Sequence, residues 1–322
     1  MRAIQFTRTG GPEVLEDVDL PTPEPRPGQA RVRHEAVGVN FIDTYHRTGL
    51  YPVKLPCVPG GEAAGVVEAV GEGVTAVKVG DRVAYSGGFG AYAEANCVPA
   101  DRLVKLPDGV DARLAAAILL KGMTTEAFVR RTYPVKAGET VLVHAAAGGV
   151  GQIMTQWLKA IGAEVIATVG SPEKAALVRE LGADHVILYR QQDVAAEVRR
   201  ITGGKGVPVA YDSVGKDTFE GTLASLARRG LFVSFGNASG PVPPFPPARL
   251  AAGGSLYLTR PTLFDYVVTS EELADSAAAV FDMVSSGRIR IEIGQTFGLA
   301  DARAAHEALE GRNTVGASLL IP

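Results

Sequence analysis

The sequence predicts an α/β protein: a β-rich domain joined to a doubly wound parallel sheet. Three observations predict it. Between residues 140 and 261, apolar β-branched runs alternate with amphipathic helical stretches. The first ~120 residues hold short β-type runs broken by Gly and Pro, with little helical periodicity. The chain has 322 residues, more than one hydrophobic core usually serves, so two domains are expected.

The β-rich part opens with "RAIQF" and continues with "ARVRHEAVGVN", "AAGVVEAVG", "DRVAYSG" and "AYAEANCVP". "DARLAAAILLKGMTTEAFVRR" (111–131) is the first convincing helical region. Strands and helices then alternate. "TVLVHA" leads to a helix over 150–161, and "EVIATV" to one that starts near Pro172 and is capped by Gly182. "HVILY" precedes a helix at 193–201, and "VPVAYDSV" one at 218–227. "LFVSFG" follows, then a Pro-rich loop and "SLYLTRP". Six strands with crossover helices are the signature of a doubly wound sheet. Residues 270–287 and 300–311 read as two more helices with a short strand, "RIEIG", between them. "GASLLIP" reads as a closing strand, and this tail is expected to return to the N-terminal domain.

Composition excludes several classes. A net charge of −3 from 32 basic and 35 acidic residues argues against a nucleic-acid or membrane-surface binder. No apolar run reaches membrane-spanning length, and "MRAIQFTRTG" lacks the apolar core of a signal peptide. The two cysteines, Cys57 and Cys97, have no metal-type spacing and suit a reducing compartment. A cytoplasmic location is expected.

The chemistry starts at "HAAAGGVGQ", 144–152. It lies between a buried strand and a helix whose apolar face is Val150, Ile153, Met154, Trp157, Leu158 and Ile161. Ala146, Gly148 and Gly151 stand at G-x-G-x-x-G spacing, with Ala in the first place. Small residues let the backbone turn, approach a diphosphate and bring helix against sheet. Free N–H groups at the helix start suit phosphate. Ala147, Gly148, Gly149, Val150 and Gly151 are therefore candidate cofactor-binding residues. An NAD site normally carries an acid at the end of the second strand. Here "EVIATV" is followed by Gly170, Ser171 and, one turn on, Lys174, with Tyr189 and Arg190 ending the third strand. A hydroxyl and a positive charge suit the 2′-phosphate of NADPH. The alternative is that Lys174 is merely solvated and Ser171 only caps a helix before Pro172. Asn237, after the fifth strand and two residues past Phe235, is expected near the nicotinamide, because ligands collect at the carboxyl ends of the strands.

Several stretches resemble the quinone oxidoreductases related to ζ-crystallin, in the medium-chain dehydrogenase/reductase superfamily. They are "VPGGEAAGVVEAVGEGV" (58–74), "HAAAGGVGQ", "YDSVGKDT" (211–218), "FGNASG" (235–240) and "SLYLTRP" (255–261). The resemblance implies a GroES-like catalytic domain over 1–122 and 265–322. It also implies a Rossmann domain over 123–264, NADPH bound in the cleft, and a homodimer or homotetramer. The superfamily's zinc enzymes hold the metal with two Cys and one His. By the resemblance, Gly61 stands where their histidine does, Asn40 at the first cysteine and Lys121 near the second, so no zinc is expected. Without a Lewis acid an alcohol is hard to oxidise, which points to acceptors that are already electrophilic, quinones or activated alkenes.

The resemblance places "NFIDTYHRTGLY" (40–51), read as a loop, beside the nicotinamide, with Lys121 and Thr124 facing it. Asn40, Tyr45, Tyr51 and Lys121 are the candidate catalytic residues, and Asp43 matches a polar position of the zinc-containing relatives. The structural alternatives are an αL turn at Asn40 and core tyrosines with satisfied hydroxyls. Glu62 reads either as a buried carboxylate left from a zinc site or as purely structural, while His46 and His144 lack a partner triad and read as structural. The leading function is hydride transfer from NADPH to a flat quinone without flavin or metal. Reduction of an enone, enal or acyl-thioester double bond is the second reading, and a non-catalytic, crystallin-like NADPH-binding protein the third.

Overall fold

The computed structural model describes residues 1–322 as two compact units. The first comprises residues 1–121, 267–285 and 291–322, and the second 122–266 and 286–290.

The first unit begins with a two-stranded antiparallel ribbon, β1 (Arg2–Gln5) and β2 (Glu16–Asp19). Then follow β3 (Gln29–Val39), α1 (Phe41–Thr48), β4 (Glu62–Val70), β5 (Arg82–Ser86), β6 (Ala95–Pro99) and β7 (Val104–Lys105). The next helix, α2 (Ala112–Glu126), continues into a π-helical stretch at Ala127–Thr132.

The second unit carries β8 (Thr140–Val143), α3 (Gly149–Ile161), β9 (Glu164–Val169), α4 (Pro172–Glu180) and β10 (His185–Leu188). It continues with α5 (Val194–Ile201), β11 (Val207–Asp212), α6 (Phe219–Ser225) and β12 (Leu226–Ser234). A short α7 (Ala248–Ala252) interrupts the Pro-rich loop before β13 (Tyr257–Thr259). The six strands form one sheet, parallel at every pairing, in the order β10-β9-β8-β11-β12-β13. The order reverses between β8 and β11, the place where such sheets bind ligands. Leu142, Ile166, Phe219 and Phe232 lie in its core.

The tail adds α8 (Ser270–Ser285), β14 (Ile293–Gly298), α9 (Ala302–Glu310) and β15 (Ala317–Ile321). β15 pairs antiparallel with β3 and parallel with β14, so the tail does return to the N-terminal sheet. That sheet has the order β14-β15-β3-β4-β5-β7, with β6 also paired to β3. Phe6, Val37, Tyr85, Tyr92, Leu299 and Leu320 share one core there.

Three expectations are corrected. Residues 40–51 are not a loop: α1 occupies 41–48. It spans only eight residues, shorter than the window over which a helical period can be read, and most of its buried residues, Asp43, Thr44, Tyr45 and Arg47, are polar. The strand expected at "RIEIG" starts only at Ile293 and runs to Gly298, because β15 starts opposite it at Ala317. The strand expected from Leu231 starts at Leu226, and Arg229 takes a left-handed φ of 63° where the register shifts.

Candidate active site

In the second unit the glycine turn is built as its spacing requires. Gly148 N donates to Ala145 O at 3.0 Å, closing a tight turn in which Ala145 has a φ of 51°. Gly148 is the N-cap of α3. A Cβ on Gly151 would lie 2.4 Å from Ala145 O and 2.6 Å from Ala146 Cα, so only glycine lets α3 press this close. Gln152 N already donates to Gly148 O at 2.9 Å. The amides of Gly149, Val150 and Gly151 therefore open the helix without an intrahelical acceptor, and no acidic side chain lies in its first turn. The Ala147 carbonyl accepts the buried Gln152 side chain at 3.0 Å, which fixes the turn from behind.

Past the end of β9, Gly170 lies against the Tyr189 side chain. A Cβ on Gly170 would lie 2.7 Å from Tyr189 Oη. The acid that reads an NAD ribose is therefore missing from the sequence, and the Tyr189 hydroxyl fills the space beside Gly170. Lys174 stands in the same place. Burial depresses its ammonium, Tyr189 opposes that, and the neighbouring Arg190 charge adds to it. Two neighbouring cations and a phenol supply the charge and donors that a phosphate would need. Ser171 has local tasks too. It caps α4 by accepting from Lys174 N at 3.4 Å, and its hydroxyl holds the exposed Glu173 carboxyl below the usual range.

The ends of β11 and β12 are knitted together. Asp212 Oδ1 accepts from Val214 N at 2.7 Å and Gly215 N at 3.2 Å, and its carbonyl accepts from Phe235 N at 2.8 Å. Asn237 closes the following turn, its carbonyl accepting from Gly240 N at 2.9 Å. The Phe235 ring meets Phe128 edge-on at 5.2 Å. Thr124 lies half-buried on α2. Below them, His144 is buried between Thr168 Oγ1 at 3.1 Å and Thr222 Oγ1 at 3.0 Å, and Thr222 also donates to Asp212 Oδ2 at 2.9 Å. The histidine is structural.

In the first unit, Asn40, Glu62 and Lys121 come together. Glu62 is fully buried. Its Oε2 accepts from Asn40 Nδ2 and Lys121 Nζ, each at 2.9 Å, and its Oε1 from Leu120 N at 2.7 Å. Gly38 makes room for it, since a Cβ there would lie 2.2 Å from Glu62 Oε2. Asn40 is extended (φ −132°), not in an αL turn, and its N–H donates to Asp43 Oδ2 at 2.8 Å. Tyr45, buried, and Tyr51, half-buried, meet edge-on at 5.3 Å.

A second buried network passes behind α1. Arg47 Nη1 donates to His306 Nδ1 at 3.0 Å, His306 Nε2 lies 2.9 Å from Tyr92 Oη, and Tyr92 donates to Asp43 Oδ2 at 3.0 Å. Arg47 also bonds Glu310 at 2.6 Å. Burial pushes Asp43 up to about 7 and His306 down to about 3. The sequence reading missed Arg47, Tyr92 and His306. Contacts spanning more than two hundred residues leave no local pattern to find.

Comparison with known proteins places these features in a family. Residues 26–108 match the alcohol dehydrogenase GroES-like domain, and residues 149–287 match the zinc-binding dehydrogenase domain. A quinone oxidoreductase of Pseudomonas aeruginosa is 53% identical, covering 100% of this chain and 99% of its own. A 2-haloacrylate reductase of a Burkholderia species is 44% identical over 98% of this chain and 97% of its own. The crystal structure of the Escherichia coli quinone oxidoreductase complexed with NADPH superposes with a TM-score of 0.98, at 47% identity and full coverage of both chains. The zinc in the second domain's description does not suit the side chains here. By the resemblance an amide, a glycine and an ammonium stand at the three ligand positions, and the ammonium is paired with Glu62. The glycine turn and the Tyr189–Lys174 seat do fit a dinucleotide with a 2′-phosphate. With its GroES-like and Rossmann architecture, the chain belongs to the quinone oxidoreductases of the medium-chain dehydrogenase/reductase superfamily.

Proposed function

We propose that the chain is an NADPH:quinone oxidoreductase that works by hydride transfer without flavin or metal. The observation that carries this is its full-length likeness to quinone oxidoreductases, one of them solved with NADPH, joined to the acid-free, cationic seat beside Gly170. NADPH, when bound, supplies the hydride. The Gly149–Gly151 amides hold its diphosphate, and Lys174, Tyr189 and Ser171 read its 2′-phosphate. Thr124, Phe235 and Asn237 attend the nicotinamide end.

Asn40, Tyr45, Tyr51 and Lys121 orient the acceptor. The Lys121 ammonium, fixed by Glu62, supplies the positive charge that a developing quinone oxyanion needs. Water suffices to protonate that oxyanion, so no dedicated acid is required. Asn40→Ala or Tyr51→Phe should then slow quinone reduction by about one to two decades, because each removes one orienting hydrogen bond.

The relative named for haloacrylate supports a second reading, reduction of an activated alkene. There carbon must be protonated, and a loss of several decades in Tyr51→Phe would favour it. The test is loss of NADPH absorbance with a quinone, with an enone or haloacrylate, and with no acceptor. Turnover with none of them overturns both readings. No helix is long and apolar enough to cross a membrane. The proposal places the enzyme in the cytoplasm as a homo-oligomer.

A further inference from the structure

We infer that Tyr92 and His306 are positioning residues for the proposed reaction: a buried, one-way chain of hydrogen bonds from the tail helix α9 holds Asn40 on Glu62 through Asp43. The inference rests on the function proposed above. It deepens that reading by adding two residues that are fully buried and so touch neither acceptor nor cofactor.

The direction of the chain follows from what each group can give. Arg47 carries donors only. Its Nη1, 3.0 Å from His306 Nδ1, therefore makes that nitrogen an acceptor. Burial and the neighbouring Arg47 charge both lower the His306 pKa, so the ring is neutral and keeps its proton on Nε2. Nε2–H donates to Tyr92 Oη at 2.9 Å. The phenol hydrogen is then left one acceptor, Asp43 Oδ2 at 3.0 Å. The same Oδ2 accepts from Asn40 N at 2.8 Å. No other arrangement of protons satisfies every link.

Asn40 is the joint. β3 ends at Val39 and α1 starts at Phe41, so this one residue turns the chain. Its backbone N–H is tied to Asp43, and its side-chain amide donates to Glu62 Oε2 at 2.9 Å. Glu62 Oε2 is also the oxygen that Lys121 Nζ holds. A shift of Asp43 therefore moves Asn40, and with it the carboxylate that fixes the Lys121 ammonium.

The far end is anchored in turn. Tyr92 N donates to Pro59 O at 3.0 Å, and Tyr92 O accepts from Ile4 N at 2.8 Å. Gly60, at a φ of 86°, clears the slot for the ring, since a Cβ there would lie 2.2 Å from Tyr92 Cδ1. Arg47 Nε donates to Gly10 O at 3.1 Å, and Nη2 to Glu310 at 2.6 Å. Buried polar groups add little net stability over apolar ones of the same shape. What a satisfied network supplies is a single geometry, and this one ends at Asn40.

The test uses the full chain. With saturating NADPH and p-benzoquinone, Tyr92→Phe and His306→Leu should each lower kcat about fivefold. In an Asn40→Ala background, Tyr92→Phe should lower it by no more than about twofold further, because its effect runs through Asn40. His306→Gln should stay within about twofold of the wild type, since its amide oxygen accepts from Arg47 and its amide nitrogen donates to Tyr92. Asparagine-selective nitrogen-15 labelling reads Asn40 without turnover. Of the chain's four asparagines, its side-chain amide is the one lost in Asn40→Ala. That signal should shift in Tyr92→Phe and His306→Leu and exchange with water about tenfold faster. Losses that multiply in the double variant, a His306→Gln variant as slow as His306→Leu, or an Asn40 amide unchanged in Tyr92→Phe would overturn the inference. If the Asn40 amide depends on Tyr92 and His306 in a chain that reduces no acceptor, the positioning stands and the proposed function falls.

Discussion

Under the proposed function, single residues would decide which cofactor is held. Lys174 and Arg190 crowd the end of β9, and burial already disfavours the lysine's charge. A 2′-phosphate there relieves the repulsion, and a charge-assisted hydrogen bond contributes about 1.5–3 kcal/mol. Lys174→Glu should therefore weaken NADPH binding by about one to two decades and leave NADH nearly untouched. Equal losses for the two in a titration would remove Lys174 from the phosphate seat. Other residues set how stability responds to pH. Burial lowers His34 to about 4 and His306 to about 3, from 6.5 in both cases. Down to those values the folded chain binds fewer protons there than the unfolded chain, so both make stability rise with pH up to about 6.5. Asp43 opposes them. Its pKa is raised from 3.8 to about 7, so its contribution is present at low pH and lost as pH rises through that window. Two histidines outweigh one carboxyl, and the melting temperature should fall on going from about pH 7 to pH 5. Asp43→Asn should make that fall steeper; a shallower one would refute the assignment. The acid-free end of β9, with Gly170 and Lys174, was legible in the sequence because the rule it breaks is local. Tyr92 and His306 were not, because a buried hydrogen bond joins residues whose sequence neighbours say nothing about it.

Elements do the positioning. α3 comes this close to the β8 turn because Gly151 carries no side chain, and the first three amides of the helix are left without an intrahelical acceptor. Gly151→Val should abolish dinucleotide binding by displacing the helix start, while the wild-type sheet and far-ultraviolet dichroism persist. Retained NADPH affinity in a folded variant would show that the turn is not the diphosphate seat. α1 works differently. Its inner face is polar, and Arg47, His306, Tyr92 and Asp43 hold it against the tail helix α9. Tyr92→Phe leaves two buried groups short of a partner and should cost about 1–3 kcal/mol in denaturant unfolding. This contrast explains what the sequence disclosed. Helices with an apolar stripe, such as α3, announce themselves through their period. α1, eight residues long and anchored by buried polar side chains, is too short for its period to stand out and reads as a loop.

At the scale of the whole molecule, the alternation of strand and helix made the six-strand sheet legible, and the return of the tail followed from its falling outside that alternation. Self-association also belongs to this scale. β13 is an edge of the six-stranded sheet, paired on one side only, with β12. An unpaired edge is a template for another strand unless something blocks it. Here nothing does: β13 itself carries no charge, and Tyr257 is 58% exposed on it. A two-fold axis beside β13 would join two sheets into one and bury both tyrosines, and such an isologous contact closes on itself as a dimer. Residues near that axis face their own copies, so a charge introduced there meets the same charge. Tyr257→Asp should therefore convert a dimer into monomers at micromolar concentration, as measured by sedimentation, with NADPH binding by each subunit preserved. A wild-type chain that sediments as a monomer, or a Tyr257→Asp variant that remains fully dimeric, would show that this edge is left open to solvent and that any assembly uses another face.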